Sequence, residues 1–228
     1  LPNAGRTLSG LVEPPHFNVE RGIYSLNSPF QLSLASATPF AAIRYTVDGS
    51  EPTETHGTLY SSPILIDRTT IVRAVAFRPN SLPSDVVTHT YLFNLDAAAK
   101  SLPAVSIVTA PRNLFGPTGI MEFNPKNTLK HGIAWERPTS VELIRPEDNG
   151  GFQANAGLRV LGGETVRDLY NYNAGPPNGK YSFGLYFRGD YGPRSLNYRL
   201  FEHVAAEGFE RIHLRAGFND PINPFIYD

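Results

Sequence analysis

Two stretches of this chain place residues suited to phosphate chemistry near one another. Gly157-Leu-Arg-Val-Leu-Gly162-Gly163-Glu-Thr-Val-Arg167 reads as a strand that runs into paired glycines, and Gly179-Lys180-Tyr-Ser-Phe-Gly-Leu-Tyr-Phe-Arg188 reads as a second strand with one lysine near its start. Paired glycines let backbone N–H groups come close to phosphate oxygens, and a nearby ammonium neutralises them. Gly162, Gly163 and Lys180 are therefore candidate nucleotide contacts, with Arg167 as an assisting cation. The competing reading is structural: a hairpin whose glycines make a tight turn, whose lysine closes a strand end and whose Arg167 forms a surface ion pair. Nothing downstream supplies the metal-binding and base carboxylates that phosphoryl transfer requires. No residue of the chain is assigned a catalytic role.

The other candidates are weaker. Between the two strands, the loop from Asp168 to Gly179 mixes aromatics with amides. Tyr170 and Tyr172 could stack on a sugar while Asn171 and Asn173 hydrogen-bond its hydroxyls, or the segment is simply a long insertion. Asp48, Ser50 and Glu51 carry oxygen ligands, but Asp48-Gly49-Ser50 reads better as a turn in which Asp48 bonds its own backbone. Asn219, Asp220, Asn223 and Asp228 offer calcium-type oxygens, yet the prolines among them favour a turn. The histidines at 16, 56, 89, 131, 203 and 213 show no ligand spacing, so no zinc or other metal site is indicated. No Gly-x-Ser-x-Gly elbow is present for a hydrolase. Glu136 and Glu142 are expected on strand or loop surface, and Trp135 in a core.

The elements that must position these residues are β-like. From Pro14 to Phe93, short apolar runs recur every eight to twelve residues: Gly22–Ser25, Phe30–Leu34, Ala42–Val47, Ile64–Ile66, Thr70–Phe77 and Val86–Phe93. Phe30/Leu32/Leu34 and Ile71/Arg73/Val75/Phe77 alternate, which sets one face of each strand apart from the other. Asp48-Gly49-Ser50, His56-Gly57 and Arg78-Pro79-Asn80 punctuate the runs as turns. The pattern predicts an antiparallel β-sandwich of roughly seven strands. Residues 1–12 read as a linker or the tail of a preceding domain, 13–95 as the sandwich, 96–101 as a helix-prone connector and 102–228 as a second, mixed and β-rich block. In that block Leu102–Thr109, Val141–Ile144 and Phe209–Arg215 read as strands, Asp148-Asn-Gly-Gly151 as a hairpin turn, and Arg194–Phe201 as irregular or a short helix. Gly184 inside a strand is expected to weaken it.

Composition agrees with a turn-rich β protein: 20 glycines, 20 prolines, 11 tyrosines and 14 phenylalanines in 228 residues. A net charge of −1 argues against binding nucleic acid by phosphate neutralisation. No apolar run is long enough for a membrane span. The absence of cysteine removes disulfides, thiolate metal sites and a cysteine nucleophile. A chain that opens Leu1-Pro2 is expected to be a processed or excised piece.

Ile43-Arg-Tyr-Thr-Val-Asp-Gly-Ser-Glu-Pro-Thr53, Leu59-Tyr60, Pro63-Ile64 and Thr69-Thr70-Ile-Val-Arg-Ala74 resemble the chitobiase/β-hexosaminidase C-terminal module. That resemblance implies an immunoglobulin- or fibronectin-III-like sandwich acting as a spacer in secreted bacterial proteins. Leu102-Pro-Ala-Val-Ser-Ile-Val, Asn113-Leu-Phe-Gly, Trp135-Glu-Arg-Pro, Gly157-Leu-Arg-Val, Gly162-Gly163, Lys180-x-Ser-Phe, Leu185-Tyr-Phe-Arg188 and Leu214-Arg-Ala-Gly-Phe-Asn-Asp220 resemble the spore-coat protein H (CotH) kinase-like family. The second resemblance implies the N-terminal, nucleotide-covering half of a kinase-like lobe, with ATP and a divalent metal as cofactors only where the whole domain is present. Tyr181 and Gly184 stand where that family's lysine strand tends to carry a second basic residue.

Taken together, the expectation is a non-catalytic extracellular or cell-surface module, a fragment of a larger secreted bacterial protein. Its expected partners are the C-terminal remainder of that protein and, by self-assembly or adhesion, further copies or a polysaccharide. The alternatives are part of an active CotH-type kinase using ATP, and a carbohydrate-binding module.

Overall fold

The computed structural model describes residues 10–25, 28–122, 124–162, 181–201, 203 and 208–215. The chain is mainly β, and its internal contacts divide it into two compact units, 1–108 with 140–153 and 109–139 with 154–228. No helix among the described residues is long and apolar enough to cross a membrane.

The first unit carries β1 (His16–Phe17), β2 (Gly22–Tyr24), β3 (Phe30–Leu32), β4 (Leu34–Ala35), β5 (Ala42–Thr46), β6 (Thr58–Leu59), β7 (Ile64–Ile66), β8 (Thr70–Phe77), β9 (Val87–Phe93) and β10 (Ala104–Val108). Five of them form a sheet in the order β2-β9-β8-β5-β6, while β3 pairs with β7 and β1 with β4. All these pairings are antiparallel except β2 with β9. Alternation explains the core. Val72, Ala74 and Ala76 of β8 and Tyr91 and Phe93 of β9 share one sheet face, and Phe17, Leu32, Leu34 and Ile66 pack against them. Asp48 makes the turn its sequence predicts, accepting hydrogen bonds from the Ser50 N–H at 3.0 Å and the Ser50 hydroxyl at 2.5 Å. Just before the Ala99–Ser101 turn, the Asp96 carboxylate accepts from Ala99 N–H at 2.7 Å.

The opposite face of the sheet is buried too. Arg73 is 4% exposed and donates to the Gly49 carbonyl at 3.1 Å, while Thr88 and Thr90 are 0% and 2% exposed. Part of the cover for this polar face comes from chain that follows the sandwich. β11 (Arg137–Ile144) and β12 (Gly151–Leu161) each run through both units. Strand β10 pairs with the 140–144 stretch of β11 so that Ser106 lies opposite Glu142. Contrary to its expected place on the surface, the Glu142 side chain is fully buried. It accepts from the Thr90 N–H at 3.1 Å and from the Thr90 hydroxyl, which also meets the Ser106 hydroxyl at 2.8 Å. The turn between β11 and β12 forms a second contact with the sandwich. Asp148 accepts from Gly150 N–H at 2.7 Å and pairs with Arg145 at 2.9 Å, which leaves Asn149 at φ 54°. Asn149 then accepts from Ile23 N–H at 2.9 Å and fills the space beside Gly22, where a Cβ would stand 2.5 Å from its Cγ.

The second unit is built from α1 (Pro111–Leu114), short 3-10 turns at Asn127–Leu129 and Ile133–Trp135, β13 (Ser182–Tyr186), β14 (Leu196–Asn197), β15 (Gly208–Phe209) and β16 (Arg211–Leu214), with the start of β11 and most of β12. Pro111 occupies the first turn of α1, where its missing N–H costs no hydrogen bond. Strand β13 pairs antiparallel with β12 on one side and β16 on the other, and β14 pairs with β15. The 194–201 segment is largely irregular, one of the two forms expected, with a two-residue strand at Leu196–Asn197. Leu158, Val160, Leu185, Phe187 and Leu196 are buried in this unit.

Burial pushes the Glu142 carboxyl up from its ordinary 4.5 to about 7, against the opposing pull of the Thr90 and Ser106 hydrogen bonds and the Arg21 charge. Because the folded value lies above the unfolded one, the folded chain holds this proton more tightly between about pH 4.5 and pH 7. The group's stabilising effect is full below the lower value and is lost as pH rises through the upper one, a change on the order of 3 kcal/mol. Glu142→Gln keeps an acceptor for Thr90 N–H and cannot ionise. Urea unfolding is expected to find this variant more stable than the parent at pH 8 and level with it near pH 4. Identical pH slopes for the two proteins would show that Glu142 does not titrate in this window.

Candidate functional site

Of the predicted nucleotide contacts, only Gly162 lies among the described residues. It follows β12 with φ 116°, a conformation that L side chains rarely adopt, so a glycine is needed there for backbone reasons alone. Gly163, Arg167 and Lys180 lie outside the described residues, as do Tyr170, Asn171, Tyr172 and Asn173 and the oxygen-rich residues Asn219, Asp220, Asn223 and Asp228. Among the described residues no group of three or more His, Asp and Glu side chains could hold a metal ion.

What the described part of the β12–β13 pair presents is an arginine-rich face gathered round one tyrosine and one carboxylate. The register places Gly157 opposite Tyr186 and Arg159 opposite Gly184, with Tyr186 facing Arg211 and Gly184 facing His213 across the next pairing. Side chains at alternate positions share a face, so Arg159, Tyr186, Arg211 and His213 stand on one side of the sheet. The two glycines create the room. A Cβ at Gly184 would lie 2.8 Å from the Tyr186 ring and 3.0 Å from Leu161, so Gly184 here admits a neighbour and does not merely weaken a strand. At Gly157 a Cβ would lie 2.5 Å from the Tyr191 ring and 3.0 Å from Glu136 Oε2.

Tyr186 is 5% exposed, and its hydroxyl accepts a hydrogen bond from Arg159. The guanidinium carbons of Arg159, Arg188 and Arg211 stand 4.4, 5.3 and 6.0 Å from the centre of its ring, so the negative face of the ring meets three cations. Glu136 supplies the counter-charge. Its side chain is fully buried, where the sequence placed it on the surface, and it receives Arg188 in bidentate form at 3.0 and 3.2 Å. Arg159 Nη1 stands 3.7 Å from the same carboxylate, and the Tyr191 hydroxyl donates to it at 3.4 Å. Planar, forked pairing of this kind fixes orientation as well as charge. Desolvation, then the charges of Arg211 and Arg159, lower the His213 pKa from its ordinary value, which favours its neutral form.

The sequence missed this assembly because each member reads as ordinary by itself. The available signal was the alternation of Gly157 with Arg159 on one strand and of Gly184 with Tyr186 on its partner, small residues facing large ones. Trp135, expected in a core, is only partly buried, and the Arg137 guanidinium lies 5.1 Å from its ring centre. Chemically the arginines of this face are engaged within it, Arg188 with Glu136, Arg159 with Glu136 and Tyr186, and Arg211 against the Tyr186 ring. Within the described residues it brings no nucleophile or base toward a reacting atom.

Residues 32–91, from Leu32 in β3 to Tyr91 in β9, match a family described as Fn3 associated. No curated protein matches the chain.

Gly157→Ala gives a test of the packing. With free space the change would stabilise by about 0.4–1 kcal/mol through the unfolded chain. The close approaches of Tyr191 and Glu136 reverse that sign, and urea unfolding is expected to show a loss of about 1–3 kcal/mol.

Proposed function

We propose that this chain is a non-catalytic structural and interaction module of a larger secreted bacterial protein, in which a chitobiase/β-hexosaminidase C-terminal-type sandwich precedes a CotH-like block. The observation that carries this reading is the Fn3-associated match over residues 32–91, on a sandwich whose polar side chains are engaged in holding the fold. Arg73 serves the Asp48 turn region, His89 is buried and stacked on Phe17 at 4.2 Å between ring centres, and Glu142 binds strand β9. Groups used in this way are unavailable to a substrate. In this reading the module lies outside the cell or on its surface, holds neighbouring domains apart and presents faces for further copies or a polysaccharide.

A second reading, part of an active CotH-type kinase, draws on one observation. Arg159 lies on β12, which precedes the segment bearing Gly163, Arg167 and Lys180, and Arg188 lies two residues beyond the end of β13, which follows it. In that case Lys180 would meet the nucleotide phosphates, and acidic residues beyond this sequence would bind the divalent metal.

Incubating the full chain with labelled ATP, magnesium and a generic acceptor protein separates the two. The module reading expects no transfer above a protein-free control and no ATP-induced shift in Tm. Transfer that is abolished by Lys180→Ala would overturn it.

A further inference from the structure

The turn between β11 and β12 carries a peptide bond that is labile by its sequence. Asn149 is followed by Gly150, and glycine has no side chain to shield its backbone nitrogen from the neighbouring amide. In an open chain that nitrogen attacks the asparagine Cγ. The Cγ–Nδ2 bond breaks, ammonia leaves with the proton that the attacking nitrogen gives up, and a five-membered succinimide forms. Water then adds to one of the two ring carbonyls. The ring opens to aspartate, or to isoaspartate, in which the main chain runs through Cγ. Water is the only co-reactant, and nothing is oxidised or reduced.

The folded chain holds both reacting groups elsewhere. Ring closure is an internal attack that requires Cγ to stand over the Gly150 nitrogen. The Asn149 side chain is turned instead to strand β2. Its Oδ1 accepts from Ile23 N–H at 2.9 Å, and its amide fills the space beside Gly22, where a Cβ would stand 2.5 Å from Cγ. The attacking nitrogen is engaged as well, since Gly150 N–H donates to the Asp148 carboxylate at 2.7 Å. The turn is braced round the two groups. Arg145 N–H donates to the Gly150 carbonyl at 2.9 Å, and the Arg145 guanidinium pairs with Asp148 at 2.9 Å. Reaction therefore waits on two releases, of the amide from β2 and of the nitrogen from Asp148.

We propose that Asn149 is a spontaneous modification site gated by the fold, its amide converting to aspartate and isoaspartate only while the turn is lifted off β2. The conversion runs one way. Aspartate sets a second carboxylate next to Asp148, and isoaspartate lengthens the main chain of a closed turn. A turn that has reacted cannot rest on β2 as before, so residue 149 keeps a permanent record of the openings of this contact. The proposal goes beyond the module reading and does not depend on it, since a kinase-like chain would carry the same turn.

The full chain is incubated at mildly alkaline pH, and peptide mapping by mass follows residue 149 separately from Asn178, which also precedes a glycine. The same bond in concentrated guanidinium chloride gives the ungated rate. Native protein is expected to convert at Asn149 at least about tenfold more slowly than the unfolded chain, because the rate follows the population of the open form. Gly22→Ala puts a Cβ in the seat of the Asn149 amide. That variant, folded by circular dichroism, is expected to convert at least about fivefold faster than the native parent. Equal rates in the native and unfolded parent would overturn the proposal, and this comparison needs no variant. A folded Gly22→Ala protein that converts at the parent's rate would overturn it too, since the amide would then not be held by its contact with β2.

Discussion

The first unit depends on a carboxyl group removed from water. Glu142 has no exposure, and among the described residues its partners are two hydroxyls and one backbone N–H, with no cation at ion-pair distance. An isolated carboxylate in such a place is expensive, and protonation is the usual way in which proteins relieve that cost. The consequence reaches back into the sandwich. Thr90 can sit on a buried sheet face because a polar strand covers part of that face, whereas the equally buried Thr88 hydroxyl has no hydrogen-bond partner among the described residues. Ser106 and Glu142, opposite one another in β10 and β11, complete the arrangement. The Thr90 hydroxyl would be unsatisfied under an apolar cover, and the Glu142 carboxyl would be unsatisfied over an apolar face.

Six residues earlier the chain buries another glutamate by the opposite means. Glu136 is met by a forked arginine, with a second arginine and a tyrosine hydroxyl nearby, and stays close to cations that compensate its charge. Breaking a buried pair of this kind strands the remaining charges, so the group is held in place by the cost of removing it as much as by its attraction. The glycines at 157 and 184 belong to the same construction, since each leaves the space that a tyrosine ring occupies. One stretch of sequence thus carries two solutions to one problem, the first electrostatic and the second by hydrogen bonding with a proton.

Much of the sandwich was legible because its physics is local. Ile64–Ile66 and Thr70–Phe77 appear as strands with the bounds that alternation and turn signals predict, and the run expected over Val86–Phe93 begins one residue later, at Val87. The turn at Asp48 follows from its side chain reaching two residues ahead. The buried glutamates were not legible, because a carboxylate reads as surface unless its partners are known. Those partners are 52 residues away for both, Thr90 for Glu142 and Arg188 for Glu136. Trp135 misled for a related reason: large apolar side chains are usually buried, yet here a polar cage round Arg137 holds the indole at the edge of a cleft. For the candidate nucleotide contacts, the described structure speaks to Gly162 alone.

Asn149 and Gly22 carry an implication for how this protein comes into being. They meet across 127 positions of chain, by a hydrogen bond from Ile23, 126 residues before Asn149, and by a side chain seated where any Cβ would obstruct it. A ribosome makes chain in order, so β2 emerges long before the turn that will rest on it. Until then the strand's N–H and the threonines of β9 face water, and the sandwich exists in an unfinished form. Contacts so distant along the sequence close slowly, because chain entropy must be lost before they form. The early-made portion therefore waits for the later one during synthesis, and a ribosomal pause before residue 149 would prolong the time for which its polar face and an unpaired strand are open to other chains.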